Sequence, residues 1–233
     1  MLQKVKSFFS SIKKQTKLEK QSEQLLTKTD ICKICFKPIE EHSFHYLFTR
    51  HPTICHDCFL KFEPKLNKFF VDDIECLNIY FYTEKIQEIL YQFKGCKDYE
   101  LKSVFLEYYQ NYLNIIFKGY TIIPAPSSEN SDKERGFNHV EEIFSVLSLK
   151  MMKCIHKIKQ VKQADLTTKE RQEIGSVLQI DDVDLRGKKI LLVDDVFTTG
   201  STIRAMIKLL KEKGASNVKV LLMSKTIDLE KRE

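Results

Sequence analysis

At 233 residues the chain can hold one good-sized domain plus a small module, or two small domains. Hydrophobic residues make up 42% and charged residues 30%, an ordinary balance for a soluble protein, and no apolar run approaches the ~20 residues of a membrane helix. The net charge of +6 permits an anionic partner without demanding one. Met1 to Ser11 lacks a signal peptide's apolar core, so the seven cysteines are expected in the reducing cytoplasm, where thiols bind metal rather than pair.

Residues 1–30 form a basic N-terminal segment, with Lys4, Lys6, Lys13, Lys14, Lys17 and Lys20 outnumbering Glu19 and Glu23. It reads as a solvated helix or frayed tail, or as a basic arm for nucleic acid or an anionic membrane surface. Residues 31–72 carry Cys32-Lys-Ile-Cys35 and Cys55-His-Asp-Cys58, two C-x2-C knuckles nineteen residues apart. Each knuckle aims two thiolates at one point, and two complete a tetrahedron, the pattern of a four-cysteine zinc finger. Four protein ligands leave no place for a catalytic water, so this zinc is structural, and a module so short folds on its metal. His42, His45, His51 and His56 are then surface residues beside the site; Cys76, Cys96 and Cys154 have no partner at ligand spacing. Lys33, Lys37, Arg50 and Lys61 interleave with Phe36, Phe44, Tyr46, Phe48 and Phe59, which suits single-stranded nucleic acid, though rings in so small a module more often pack around the metal.

Residues 73–233 read as one α/β domain. A strand is predicted at Leu77 to Tyr82, followed by a pair of helices: Ile86, Ile89, Leu90 and Phe93 in the first, Leu101, Val104, Phe105 and Tyr108 in the second. Between them Phe93-Lys94-Gly95 with Asp98 forms a charged turn. Tyr120 to Pro124 is a strand stopped by prolines, and a loop with Arg135-Gly-Phe-Asn138 opens a helix through Ile143, Val146 and Leu147. Another strand is predicted at Cys154 to Val161, then a polar stretch from Lys162 to Gly187, and a last strand at Val218 to Met223. Alternating strands and helices imply a mostly parallel sheet with helices on both faces.

Ile190 to Thr202 is the most informative run. Its apolar residues read as a buried parallel strand that ends in Asp194 and Asp195, at the carboxyl edge where open α/β sheets bind ligands. Thr198, Thr199, Gly200, Ser201 and Thr202 follow, offering hydroxyls and backbone N–H groups at the start of a helix, a ready anion site. Carboxylates repel phosphate but suit sugar hydroxyls or a divalent cation. Phosphate cradle and carboxylate pair together suggest a ribose 5-phosphate, and the segment resembles the phosphoribosyl pyrophosphate (PRPP) motif of type I phosphoribosyltransferases.

Beyond residue 30 the chain resembles the ComF late-competence family. The resemblance rests on the two knuckles, Phe93-Lys-Gly95 with Asp98, Pro124-x-Pro126, Arg135-Gly-Phe-Asn138, Gln163-x-x-Leu166 with Arg171, and Asp194 to Thr202. It implies a phosphoribosyltransferase-like sheet that binds PRPP with magnesium, with Asp194 and Asp195 at the ribose and Thr198 to Thr202 at the 5-phosphate. Pro126 to Gly136 would face pyrophosphate, and Lys162 to Ile180 would form a lid; Arg135, Gln163, Arg171 and Lys94 are the pyrophosphate or lid contacts. Ile174 stands where the family often has Asn. Three function classes follow: a competence protein that binds PRPP and single-stranded DNA during DNA uptake, a nucleotide-salvage phosphoribosyltransferase, or a PRPP sensor or structural partner of a DNA-uptake helicase. No acceptor-base pocket is legible.

Overall fold

A computed structural model describes residues 30–39, 52–158 and 177–226. Six strands form the main sheet in the order β1-β2-β8-β7-β3-β4. They are β1 (Asn67–Val71), β2 (Ile74–Phe81), β3 (Tyr120–Pro124), β4 (Lys150–Met151), β7 (Lys189–Phe197) and β8 (Asn217–Lys225). Only the β1–β2 pair is antiparallel; β2–β8, β8–β7, β7–β3 and β3–β4 run parallel. Among the described residues no helix is long and apolar enough to cross a membrane.

Central strands are apolar on both sides because both faces are covered. Along β7, Ile190 and Leu192 enter one core and Leu191 and Val193 the other. The first core lies under α6 (Ser201–Glu212), which contributes Ile203, Met206, Ile207 and Leu210 at helical spacing. The second core lies under α2 (Glu84–Lys94), α3 (Gln110–Ile116) and α5 (His139–Phe144).

The cysteine knuckles share that second core. Cys32, Ile54, Cys58, Phe59 and Phe62 pack into one cluster with Tyr80, Phe93 and Phe105. Phe59, on the short helix α1 (His56–Leu60), stacks on Tyr108 with ring centroids 3.8 Å apart, and Phe62 meets Tyr80 edge-on at 5.5 Å. These rings therefore pack against the sheet's own helical layer, not around the cysteines alone. Phe36 is 76% exposed at the knuckle tip. Polar ties complete the junction. The buried Glu107 carboxylate accepts the Thr53 N–H (2.8 Å to Oε2) and the Thr53 hydroxyl, and Lys33 Nζ lies 2.6 Å from Glu100.

Several local expectations change. The second predicted helix is instead two 3-10 turns, Tyr99–Ser103 and Glu107–Tyr109, running into α3. The Tyr80 hydroxyl donates to the Phe105 carbonyl at 2.8 Å, so the Tyr109 N–H turns to Leu106 O instead. Arg135 is not in a loop; it ends α4 (Glu129–Arg135), a helix with no buried residue and hence no apolar period to detect. The helix after it stops at Phe144. The strand predicted at Cys154 to Val161 is β5 (Ile155–Ile158), which pairs antiparallel with β6 (Val177–Ile180) in a separate two-stranded sheet. Asp194 and Asp195 lie within β7, which continues to Phe197.

A shared core makes the knuckles and the sheet one cooperative unit. Phe62→Ala is expected to cost about 3–5 kcal/mol in urea denaturation while leaving a single transition. An unchanged main transition, preceded by separate loss of the knuckles, would show two independent units.

Candidate functional site: a four-cysteine cluster and a carboxylate cleft

Cys32, Cys35, Cys55 and Cys58 converge with all ligand atoms within 4.8 Å of one another. The first knuckle is a tight turn, closed by Phe36 N–H to Cys32 O (2.8 Å) and Cys32 N–H to Lys37 O (2.9 Å). It is tied to the second by Lys33 N–H to Thr53 O at 2.8 Å. Cys35 Sγ and Cys55 Sγ are 3.8 Å apart. Zinc–sulfur bonds of about 2.3 Å set a tetrahedral edge of about 3.8 Å, so the donor set and its spacing fit zinc. Burial pushes the Cys55 thiol up, and pushes Cys58 far higher with the neighbouring sulfurs adding to it. Cys32 goes the other way, to about 7: burial opposes ionisation, but backbone N–H groups of Cys55, Cys35 and Ile34 point at its sulfur. His56 is exposed and outside the cluster; Cys76 and Cys154 are buried elsewhere, and Cys96 is exposed.

The second site is a cleft of about 590 Å³ at the carboxyl ends of β3 and β7. Asp194 and Asp195 form its floor, Ser201, Thr202 and Ala205 of α6 one wall, and Pro126, Ser127, Ser128, Ser131, Arg135 and His139 the other. Lys157 and Leu178 of the β5–β6 hairpin also line it. The helix wall brings N–H groups of its first turn, which have no acceptor within the helix, and Ala205 leaves room for a ligand to approach. Thr198 and Thr199 do not line the cleft; they are exposed, and Thr199 binds the Ser201 hydroxyl (3.1 Å) and Arg204 (2.9 Å to its carbonyl). Gly200 makes the turn possible. Its φ is +75°, and a Cβ there would lie 2.6 Å from the Phe197 ring.

The two carboxylates have different surroundings. Asp195 is buried, and its carboxylate is enclosed by donors: Val196 N–H at 2.8 Å on Oδ1, Lys94 Nζ at 3.0 Å and His139 Nε2 at 3.1 Å on Oδ2. Its backbone carbonyl accepts the buried Ser224 hydroxyl at 3.0 Å. Burial alone would raise the Asp195 carboxyl, but the His139 ring and the Lys94 ammonium reverse that and hold it below the usual carboxylate range. Asp194 Oδ1 accepts the Asp195 N–H at 2.9 Å, and burial followed by the charge of Asp195 holds its carboxyl well above that range.

Local sequence explains how Lys94 and His139 arrive there. Lys94 ends α2, and Gly95 follows because a Cβ would meet the Tyr91 ring and carbonyl at 2.8 Å. Gly136, at φ +87°, turns the chain from α4 to α5. Phe137 plugs between Phe93 and Tyr99, with centroids 5.0 and 5.2 Å away, and Asn138 caps α5 through the Glu141 N–H at 3.1 Å. His139 is thereby delivered to the cleft floor.

A family model for a phosphoribosyl transferase domain matches residues 134–231. "Competence protein ComFC" of Streptococcus pneumoniae (strain ATCC BAA-255 / R6) is 28% identical over 205 residues, covering 85% of this chain and 90% of that protein. The protein of the same name from Bacillus subtilis (strain 168) is 24% identical over 190 residues, 79% of this chain and 72% of the relative. The chain carries a phosphoribosyltransferase domain and is similar to the ComFC competence proteins over most of its length. A crystal structure of adenine phosphoribosyltransferase aligns at 16% identity with a TM-score of 0.37, over 73% of this chain and 90% of that one.

Of the sequence-predicted site residues, the structure brings together Asp194, Asp195, Ser201, Thr202, Arg135 and Lys94. Gln163 and Arg171 lie outside the described residues, as do residues 1–29 and the rings of Phe44, Tyr46 and Phe48. Sequence reasoning missed His139 and Lys157. A lone histidine after a capping Asn looks like any helix start; its neighbour Arg135 was the one available hint.

Lys94→Met tests the Lys94–Asp195 contact. Asp195 has a depressed folded pKa, so its stabilisation is complete above the unfolded carboxylate value of about 3.9 and is lost as pH falls. The variant is expected to lose about 1–3 kcal/mol at neutral pH, discounted for the partly exposed ammonium. That deficit should shrink below about pH 4 in urea titrations; a pH-independent deficit would exclude the ion pair as its cause.

Proposed function

We propose that this protein is a competence factor that binds PRPP with magnesium in the β3–β7 cleft and engages single-stranded DNA during DNA uptake. The observation that carries the ligand reading is the facing pair of walls: carboxylates on the strand end, the N-terminus of α6 with the hydroxyls of Ser201 and Thr202 opposite. The helix wall suits the 5-phosphate, and Asp194 suits the ribose hydroxyls or their magnesium ion. Arg135, Lys157 and the serines of 127–131 border the side where pyrophosphate would lie. Bound magnesium would neutralise the charge that builds on a departing pyrophosphate. Burial biases Asp194 toward its protonated form, so proton release on cation binding is the expected signature of its role. Calorimetry with Mg·PRPP is expected to show binding to the natural protein and none to Asp194→Asn/Asp195→Asn; equal affinity for both proteins would remove the ligand from this cleft.

A second reading, turnover as a phosphoribosyltransferase, is favoured by the domain match at residues 134–231. It requires a nitrogen nucleophile to form a bond to C1 as the C1–oxygen bond to pyrophosphate breaks. Pyrophosphate release from PRPP with a panel of bases separates the two readings. A PRPP sensor or helicase partner would bind without release.

The four cysteines are proposed to hold one structural zinc. Metal analysis should find one zinc per chain, absent from Cys55→Ser; full occupancy in that variant would reject this ligand set. The DNA reading rests on the relatives' role and on the cationic, ring-bearing knuckle surface, where Phe36, Lys37 and Lys61 are exposed. Binding to a labelled single strand should weaken steeply with salt as counterions are released. Absence of binding at low salt would exclude it.

A further inference from the structure

His139 sits at the first position of α5 with its side chain only 12% exposed, and its two ring nitrogens meet groups of opposite kind. Nδ1 is 3.0 Å from NH1 of Arg135, and Nε2 is 3.1 Å from Oδ2 of Asp195. A guanidinium has donors only and an ionised carboxylate acceptors only. Nδ1 must therefore accept, and the ring proton sits on Nε2, from which it is donated to Asp195. The partner on one side fixes the tautomer presented on the other. Arg135 is itself immobilised. Its Nε donates to the Lys94 carbonyl at 3.0 Å, and NH1 also reaches Asp132 Oδ1 at 3.2 Å and Phe137 O at 3.4 Å. Asp132 is held in turn by the Ser127 hydroxyl and by Asn138 Nδ2 at 3.1 Å.

We propose that His139 is a positioning residue for the ribose-phosphate cleft. It transmits the fixed orientation of Arg135 to Asp195, and so sets the angle at which the carboxylate pair meets its ligand. This rests on the reading of the cleft as a ribose-phosphate site. It also divides the pair. Asp195, enclosed by Val196, Lys94 and His139, is the pivot, while Asp194 makes the direct contact. Arg135 serves the cleft through His139, by locking the tautomer.

Two measurements on the full chain test this. The first needs no ligand: nitrogen-15 NMR of labelled histidine should place His139 Nδ1 among unprotonated ring nitrogens and Nε2 among protonated ones. Arg135→Met should abolish that preference. The opposite tautomer in the natural protein, or no change in Arg135→Met, overturns the proposal. The second uses Mg·PRPP in calorimetry. His139→Leu should weaken binding about 10-fold or more, the usual cost of losing a group that orients a ligating carboxylate. His139→Gln should restore most of it, because one amide offers an acceptor toward Arg135 and a donor toward Asp195. Equal losses in both variants, or none in His139→Leu, would reduce His139 to packing and overturn the proposal. If the natural protein binds no PRPP, the ribose-phosphate reading fails and the role in ligand positioning falls with it. The NMR result would still decide the Arg135–His139–Asp195 geometry, so the two failures are distinguishable.

Discussion

A carboxylate taken out of water at the end of a buried strand must be met by donors, or it gives up its charge. Asp195 is that carboxylate, and much of the domain's upper edge is arranged around it. α2 ends where Lys94 can reach it, and the α4–α5 elbow turns at Gly136 so that His139 arrives from the other side. Arg135 ties these two suppliers together through the Lys94 carbonyl and the His139 ring. Elements far apart in sequence, the end of α2 and the motif strand, are thus fixed by one charge. Its neighbour Asp194 has little such support, and the same burial drives it toward the protonated form. Adjacent acids on one strand are therefore pushed in opposite directions, Asp195 toward its ionised form and Asp194 toward its protonated form.

The cysteine knuckles depend on a different constraint. Among the described residues, the two knuckle segments send their buried apolar side chains into the core they share with the sheet. They borrow the sheet and the layer above it: Phe59 stacks on Tyr108, Phe62 meets Tyr80 of β2 edge-on, and Glu107 takes the Thr53 N–H. The irregular 101–109 segment follows from this borrowing. It presents aromatic faces to the knuckles on one side and gives a carbonyl to Tyr80 on the other, and a regular α-helix would do neither.

Legibility in sequence tracked how local the cause was. The β7 run and the two C-x2-C turns are written in adjacent residues; the cysteine convergence appears as read, and the strand appears where read but runs past the carboxylates to Phe197. Gly200 was legible for the same reason, since its turn and its contact with Phe197 lie within four residues. The 3-10 turns were not; the second lies against a contact with Tyr80, 25 residues away from Phe105, that no local pattern records. α4 carries no apolar stripe; its cap at Ser128 and an i,i+4 pair between Glu129 and Lys133 are its support, and neither leaves a hydrophobic period. The Thr198–Gly200 part of the phosphate loop illustrates the limit of motif reading. Its residues shape the turn and bind Ser201 and Arg204, while the cleft wall is left to Ser201, Thr202 and Ala205.

The two sites are joined by packing rather than by contact. From the cysteines, Thr53 leads to Glu107 and Lys33 to Glu100; Glu100 adjoins Tyr99, whose ring rests on Phe137. Phe137 also meets Phe93, the residue before Lys94, and stands between Arg135 and His139 in the chain. The Thr53–Glu107 and Phe93–Phe137 contacts are buried or half-buried, whereas Glu100 and Tyr99 lie at the surface. Rigid packing transmits displacement because close-packed interiors have little free volume to absorb it. The wall of the cleft that carries His139 is built on α5, whose apolar face shares the knuckles' core, while the α6 wall is built on the other core. A displacement of the knuckles is therefore expected to reach the Arg135–His139 wall before the α6 wall.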